Sequence, residues 1–284
     1  YMDYYERALY NHILSSVNPV QGGFVYFTPM RSGHYRVYSQ PQTSFWCCVG
    51  SGMENHAKYG EMIYSHSGSD ILYVNLFIPS VLNWGKTVIE QKNRFPDEEV
   101  TTITVNPGRS AEFTIRIRIP EWTEGKAEIA INGEQTEGNM KNGYFGITGK
   151  GRKGDRIDVR LPMSLRAVSL PDKSSNWSFM YGPVVLAAET GKEDMLGMYA
   201  DDSRNGHIAA GRKIGLDEMP VIIGSPEKVL ENISKVEGKS LTFKMEGLAP
   251  EKFNGMTLVP FSRVHECRYM VYWKVVSEQE WKRR

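Results

Sequence analysis

The sequence predicts a mainly β chain: a β-sandwich preceded by two helices and followed by a smaller β module. Residues 71–78, 101–105, 113–119, 127–131 and 156–161 largely alternate apolar and polar side chains, the period of two that gives a strand one core face and one outer face. The dipeptides Asn132-Gly133 and Asn142-Gly143 lie between such runs and signal two-residue hairpin turns. With 40% hydrophobic and 24% charged residues among 284, the chain has a globular composition with enough apolar residues for real cores.

Taken in order, residues 2–16 read as a helix, because Met2, Tyr5, Leu9 and Ile13 recur at spacings of three and four. Residues 23–30 and 34–38 read as short strands separated by Arg31-Ser-Gly33. A second helix is expected just after Cys47-Cys48, with Met53, Ala57, Gly60 and Ile63 on one face and Gly50-Ser-Gly52 as its entry. The sandwich follows, its outward positions including Arg116 and Arg118 turned to solvent. Residues 181–188 form a further strand, and the polar stretch 189–217 reads as a linker or long loop. Strands near 240–245, 256–260 and 268–275 make the last module. The expected domains are 1–70, 71–200 and 201–284.

The formal net charge of +1, with no long Lys/Arg cluster, excludes a nucleic-acid footprint. No apolar run approaches the roughly 18 residues of a membrane span. Two helices and a loop over the first 70 residues are too little to bury a core of their own, so these residues are expected to be the end of something larger.

The unusual local chemistry is Ser44-Phe-Trp-Cys-Cys-Val-Gly-Ser-Gly-Met-Glu-Asn-His56. Its two cysteines have one other for company, Cys267, and three are too few for a disulfide framework. The residues alone leave three readings open. Adjacent cysteines close a strained ring if bonded to each other. Their thiolates, at a helix start, can share a zinc ion in a tetrahedral shell, with His34, Glu54, His56 and His66 as further candidate ligands. Both can also be small buried hydrophobes behind Trp46, the reading given to Cys267 in the last module.

At Trp46-Cys-Cys-Val-Gly-Ser-Gly-Met-Glu-Asn55 the sequence resembles the β-L-arabinofuranosidase glycoside hydrolases of families 127 and 146. Further matches are Gly23-Phe-Val-Tyr-Phe-Thr-Pro-Met30, Ile129-Ala-Ile-Asn-Gly133, Gly143-Tyr-Phe-Gly-Ile147, Gly154-Asp-Arg-Ile-Asp-Val-Arg-Leu-Pro-Met163 and Tyr181-Gly-Pro-Val-Val-Leu-Ala187. The resemblance covers most of the chain, and the cysteine motif is its specific part. It implies an (α/α)6 barrel followed by β-sandwich domains, with residues 1–70 as the truncated C-terminal end of the barrel.

The same resemblance implies a retaining hydrolase acting on oligosaccharides or polysaccharides that contain L-arabinofuranose. Cys47 maps onto the nucleophile, and Cys47 and Cys48 onto zinc contacts. The remaining ligands and the acid/base Glu are expected in a missing N-terminal barrel portion. Tyr26, His34 and Glu54 are the candidates for contacts to the sugar or support of the site. Trp84, Trp122 and Trp177 are candidates for a sugar-stacking platform, which would suit the alternative of a non-catalytic carbohydrate-binding or scaffolding module. Plant-type glycans as substrates imply a periplasmic or extracellular setting.

Overall fold

The computed structural model describes residues 1–108, 112–172 and 174–283. The described residues are mainly β, with three sheets and few helices, and the chain divides into two compact units. One comprises residues 1–6 and 57–164, the other residues 7–56 and 165–284.

The first unit is a two-sheet sandwich. One sheet runs in the order Ser80–Trp84, Thr87–Asn93, Val100–Pro107, Asp155–Arg160, Glu128–Ile131, Glu134–Gln135; the other in the order Asn139–Lys141, Tyr144–Lys150, Glu112–Arg118, Ile71–Val74, Tyr64–Ser67. Val105, Ile131 and Ile157 of the first face Phe113, Ile115 and Ile147 of the second across one apolar gap. The period of two dictates this arrangement: odd positions from 101 to 105 and from 113 to 117 are buried, while those between are less so. At both Asn-Gly pairs the two residues have positive φ, 52° and 87° at Asn132-Gly133 and 52° and 77° at Asn142-Gly143. That is the primed turn whose twist matches the flanking strands.

Arg118 departs from the expected solvent-facing position. It is 2% exposed, because the helix α1 (Met2–Arg7) brings two carboxylates to the end of its strand. Arg118 bonds Glu6, itself 1% exposed, and Asp3 at 3.1 Å. Trp122 Nε1 donates to the other Glu6 oxygen at 2.7 Å. Trp122 is therefore a buried hydrogen-bond donor and no sugar platform. Arg116 stays half-buried, with its guanidinium 5.4 Å from the Tyr73 ring centroid.

The second unit holds an 11-stranded sheet. Its N-terminal part begins as helix, but Ala8–Ile13 is π-helical and Leu14–Ser16 is 3₁₀. Asn11 supplies the local reason: its amide donates to the Arg7 carbonyl at 2.9 Å, taking an acceptor that the α-helical ladder would use. The same side chain donates to the Pro183 carbonyl at 2.8 Å and accepts from Val185 N at 2.6 Å. This stitches the helical stretch to the hairpin of Asn176–Tyr181 and Val184–Gly191.

Residues 23–30 form only isolated bridges, Val17 with Phe24 and Val25 with Tyr38. The strand His34–Tyr35 pairs with Arg268–Met270, which in turn pairs with Val184–Gly191. The sheet thus runs across the domain boundary expected near residue 200, since Val184–Gly191 also pairs with Met256–Pro260. Of residues 189–217, expected as a linker or long loop, 189–191 belong to the strand Val184–Gly191 and 192–217 carry no strand. They pack instead along residues 35–44: Tyr38 N donates to the Met198 carbonyl at 2.8 Å, and Ala200 N to the Tyr38 carbonyl at 2.9 Å.

Candidate active site at the cysteine pair

The second helix, α2 (Cys47–Ala57), starts at the first cysteine rather than after the second. Both sulfurs therefore belong to its first turn, where free backbone N–H groups gather at the positive end of the helix. The buried face of α2 is also one step round from the expected one. Val49 is buried, Gly52 rests on Phe24, and the His56 ring lies 5.5 Å from the Phe24 ring. Met53 is 50% exposed. A Cβ at Gly52 would stand 3.0 Å from Phe24 Cδ1, so this contact depends on a residue that leaves no apolar mark in the sequence.

Cys47 is exposed and Cys48 half-buried, both are free thiols, and their sulfurs lie 3.8 Å apart. No disulfide joins them. The spacing suits a shared metal: two sulfurs each about 2.3 Å from a tetrahedral zinc ion are themselves about 3.8 Å apart. Among the described residues, no group of three or more His, Cys, Asp or Glu forms a complete metal site. The pair can supply two ligands of four.

Tyr26 completes the constellation. Its hydroxyl stands beside the two sulfurs, and the neighbouring Cys48 and then Cys47 raise the phenol above its ordinary value. Its ring meets those of Phe27, Trp46 and His207 at centroid distances of 4.7, 6.1 and 4.5 Å. Gly23 fixes the approach of this segment, since a Cβ there would lie 2.1 Å from the Ser39 carbonyl oxygen.

The other expected residues stand apart from the sulfurs. Glu54 is exposed on α2, about 10 Å along the axis from Cys47 at 1.5 Å per residue. His34 accepts from Tyr35 N at 2.9 Å through Nδ1. Burial, then the cations Arg268, Lys213 and Arg31, hold its imidazole below the usual histidine range. It lines a cavity of about 360 Å³ with Phe27, Tyr35, His207 and Lys213. His56 lies 3.4 Å from Ser16 Oγ, and His66 sits in the strand Tyr64–Ser67.

The sequence reading missed His207, which lies in the stretch taken for a linker. No local pattern marks it, because its partners Tyr26 and Trp46 are more than 160 residues away in the chain.

Cys267 is 4% exposed, and burial pushes its thiol up to about 12. At neutral pH it is a protonated, inaccessible thiol. In native, metal-free protein, a thiol reagent followed by peptide mapping is expected to label Cys47 and Cys48 and to spare Cys267 until denaturant is added. Labelling of all three at one rate would contradict this burial.

Residues 1–61 match the model of the β-L-arabinofuranosidase GH127 catalytic domain, 71–163 that of the GH127 middle domain, and 166–275 a domain of unknown function. A non-reducing end β-L-arabinofuranosidase of Bifidobacterium longum is 24% identical over 152 residues, which are 50% of this chain and 23% of that protein. A crystal structure of a GH127 β-L-arabinofuranosidase from Geobacillus stearothermophilus T6 superposes with a TM-score of 0.70 at 21% identity, covering 97% of this chain and 46% of that one. A further GH127 β-arabinofuranosidase structure gives 0.70 at 20% identity, covering 97% and 45%. The chain thus spans about a quarter of the curated relative and a little under half of the solved structures.

Proposed function

Because the chain is of the GH127 β-L-arabinofuranosidase type, we propose that it is the C-terminal part of a retaining glycoside hydrolase that removes terminal β-L-arabinofuranose from plant-type glycans. The observation that carries this reading is the free thiol pair on the first turn of α2, with sulfurs 3.8 Å apart and the Tyr26 hydroxyl beside them. Residues 1–70 are then the end of an (α/α)6 barrel, and the rest of the barrel holds the acid/base Glu. A periplasmic or extracellular setting fits such a substrate.

Cys47, the more exposed thiol, is assigned as nucleophile and Cys48 as its partner in holding zinc. Bound zinc would keep sulfur deprotonated near neutral pH. The Cys47 sulfur forms a bond to the anomeric carbon as the glycosidic C–O bond breaks, and the departing oxygen takes a proton from the carboxylic acid of the missing portion. Water, deprotonated by the resulting carboxylate, then displaces the sulfur. Two displacements return the original anomeric configuration. Tyr26, its hydroxyl beside the sulfurs, is assigned to holding their orientation before attack. His34 and Glu54, away from the sulfurs, are assigned to contacts with more distant parts of the glycan.

A stacking module without chemistry would need a row of exposed aromatics on a sheet. Among the described residues the exposed aromatics are Tyr1, Tyr4, Phe27, Phe45 and Tyr199, none of which lies in a sandwich strand. The test is hydrolysis of an aryl β-L-arabinofuranoside by the full-length protein in the presence of methanol. The methyl β-anomer is the expected transfer product, with one zinc per chain by metal analysis. The α-anomer, or no turnover, would refute the assignment.

A further inference from the structure

The loop of residues 192–220 belongs to the module matched only as a domain of unknown function, yet it is fastened along the segment that carries the cysteines. Arg268, 1% exposed, clamps both ends of the loop: its guanidinium donates to the carbonyls of Asp194 at 2.5 Å and Arg212 at 2.9 Å. Nearer the tip, the Tyr35 hydroxyl donates to the Leu196 carbonyl at 2.6 Å and accepts from Gly211 N at 2.7 Å. Ser44 Oγ, three residues before Cys47, donates to the carbonyls of Ala200 at 3.1 Å and Asp201 at 3.0 Å.

The tip then reverses. Asp201 Oδ1 accepts from Ser203 N at 3.0 Å, and Gly206 N donates to the Ser203 carbonyl at 3.1 Å. A Cβ on Gly206 would fall 2.5 Å from Asp201 Oδ1, so the turn closes only with glycine there. The next residue is His207. Its ring meets Tyr26 at 4.5 Å, Trp46 at 5.2 Å and Phe27 at 5.6 Å between centroids. Its Nδ1 is buried with no hydrogen-bond partner among the described residues, so ring packing is what holds that face of the imidazole.

We propose that His207 is a positioning residue for the thiol pair: packed against Tyr26 and Trp46 together, it fixes the Tyr26 hydroxyl at the sulfurs of Cys47 and Cys48. Through it, the module of unknown function completes the catalytic site. The inference rests on the proposed hydrolase for its activity readout, but the packing itself is measurable without turnover.

The experiment uses full-length protein labelled with 3-fluorotyrosine, the Tyr26 resonance being assigned by its loss in Tyr26→Phe. In His207→Ala that resonance is expected to move toward the position of free fluorotyrosine, and His207→Phe, which restores a ring, to return most of the shift. Gly206→Ala, which displaces the turn but keeps the imidazole, is expected to move it as well. In hydrolysis, His207→Ala is expected to lower kcat about tenfold with KM within twofold. In a Tyr26→Phe background the same change should cost less than twofold, because its route of action is gone. An unmoved Tyr26 resonance in His207→Ala, or an undiminished tenfold loss in the Tyr26→Phe background, overturns the proposal. If the wild-type protein turns over no arabinofuranoside, the hydrolase reading fails while the resonance still decides the positioning role.

Discussion

Replacing Cys47 by alanine in the full-length protein is expected to lower kcat for a β-L-arabinofuranoside roughly 10⁴- to 10⁶-fold, the scale of loss when a covalent nucleophile is removed. Without that sulfur the two-step route closes, and only binding and the leaving-group proton remain to assist water. The position at the exposed start of α2 leaves room for a small external nucleophile where the sulfur stood. Added azide is therefore expected to recover part of the rate and to give the α-L-arabinofuranosyl azide, because one displacement then replaces two. Cys48→Ala should instead remove bound zinc and activity together, without azide rescue. Undiminished kcat in Cys47→Ala would end the nucleophile assignment.

The second large effect is on stability. Glu6→Ala is expected to lower the free energy of unfolding by about 3–5 kcal/mol, because it leaves the buried Arg118 guanidinium with only the partly exposed Asp3 as partner and Trp122 Nε1 without an acceptor. Urea titration of full-length protein measures it, and a loss below 1 kcal/mol would contradict the buried pairing. Replacing both partners, Glu6→Leu with Arg118→Met, is expected to recover most of the loss.

Burial outweighs the pull of Arg118 and raises the Glu6 carboxyl above its ordinary 4.5. A carboxyl raised on folding favours the folded state below its unfolded value and loses that contribution as pH climbs through the folded one. The wild-type curve should therefore fall with pH just above 4.5, and Glu6→Gln should flatten that segment.

The sandwich was legible because period-two alternation and Asn-Gly turns are local signals, and each requires a particular backbone. Arg118 was misread for the opposite reason. Its outward position in the alternation is correct, but the carboxylates that cover it come from α1, more than 110 residues earlier. The face of α2 was misread because its central contact is made by Gly52, where closeness comes from a missing side chain. At the site, the residues alone left zinc, disulfide and buried-thiol readings open, and the resemblance singled out the cysteines. The packing of His207 on Tyr26 is a tertiary fact that a pass along one sequence cannot reach, since neither sits in a pattern that names the other.

The clamp of Arg268 on the 194–212 loop has a consequence for biosynthesis. His207 leaves the ribosome some 160 residues after Cys47, a delay of roughly ten to thirty seconds at 5–20 residues per second. During that interval Tyr26, Phe27 and Trp46 lack the ring that His207 brings to them, while the entire sandwich is made. The time at which the aromatic packing around Tyr26 and Trp46 closes is thus set by translation, and the arrival of His207 completes it.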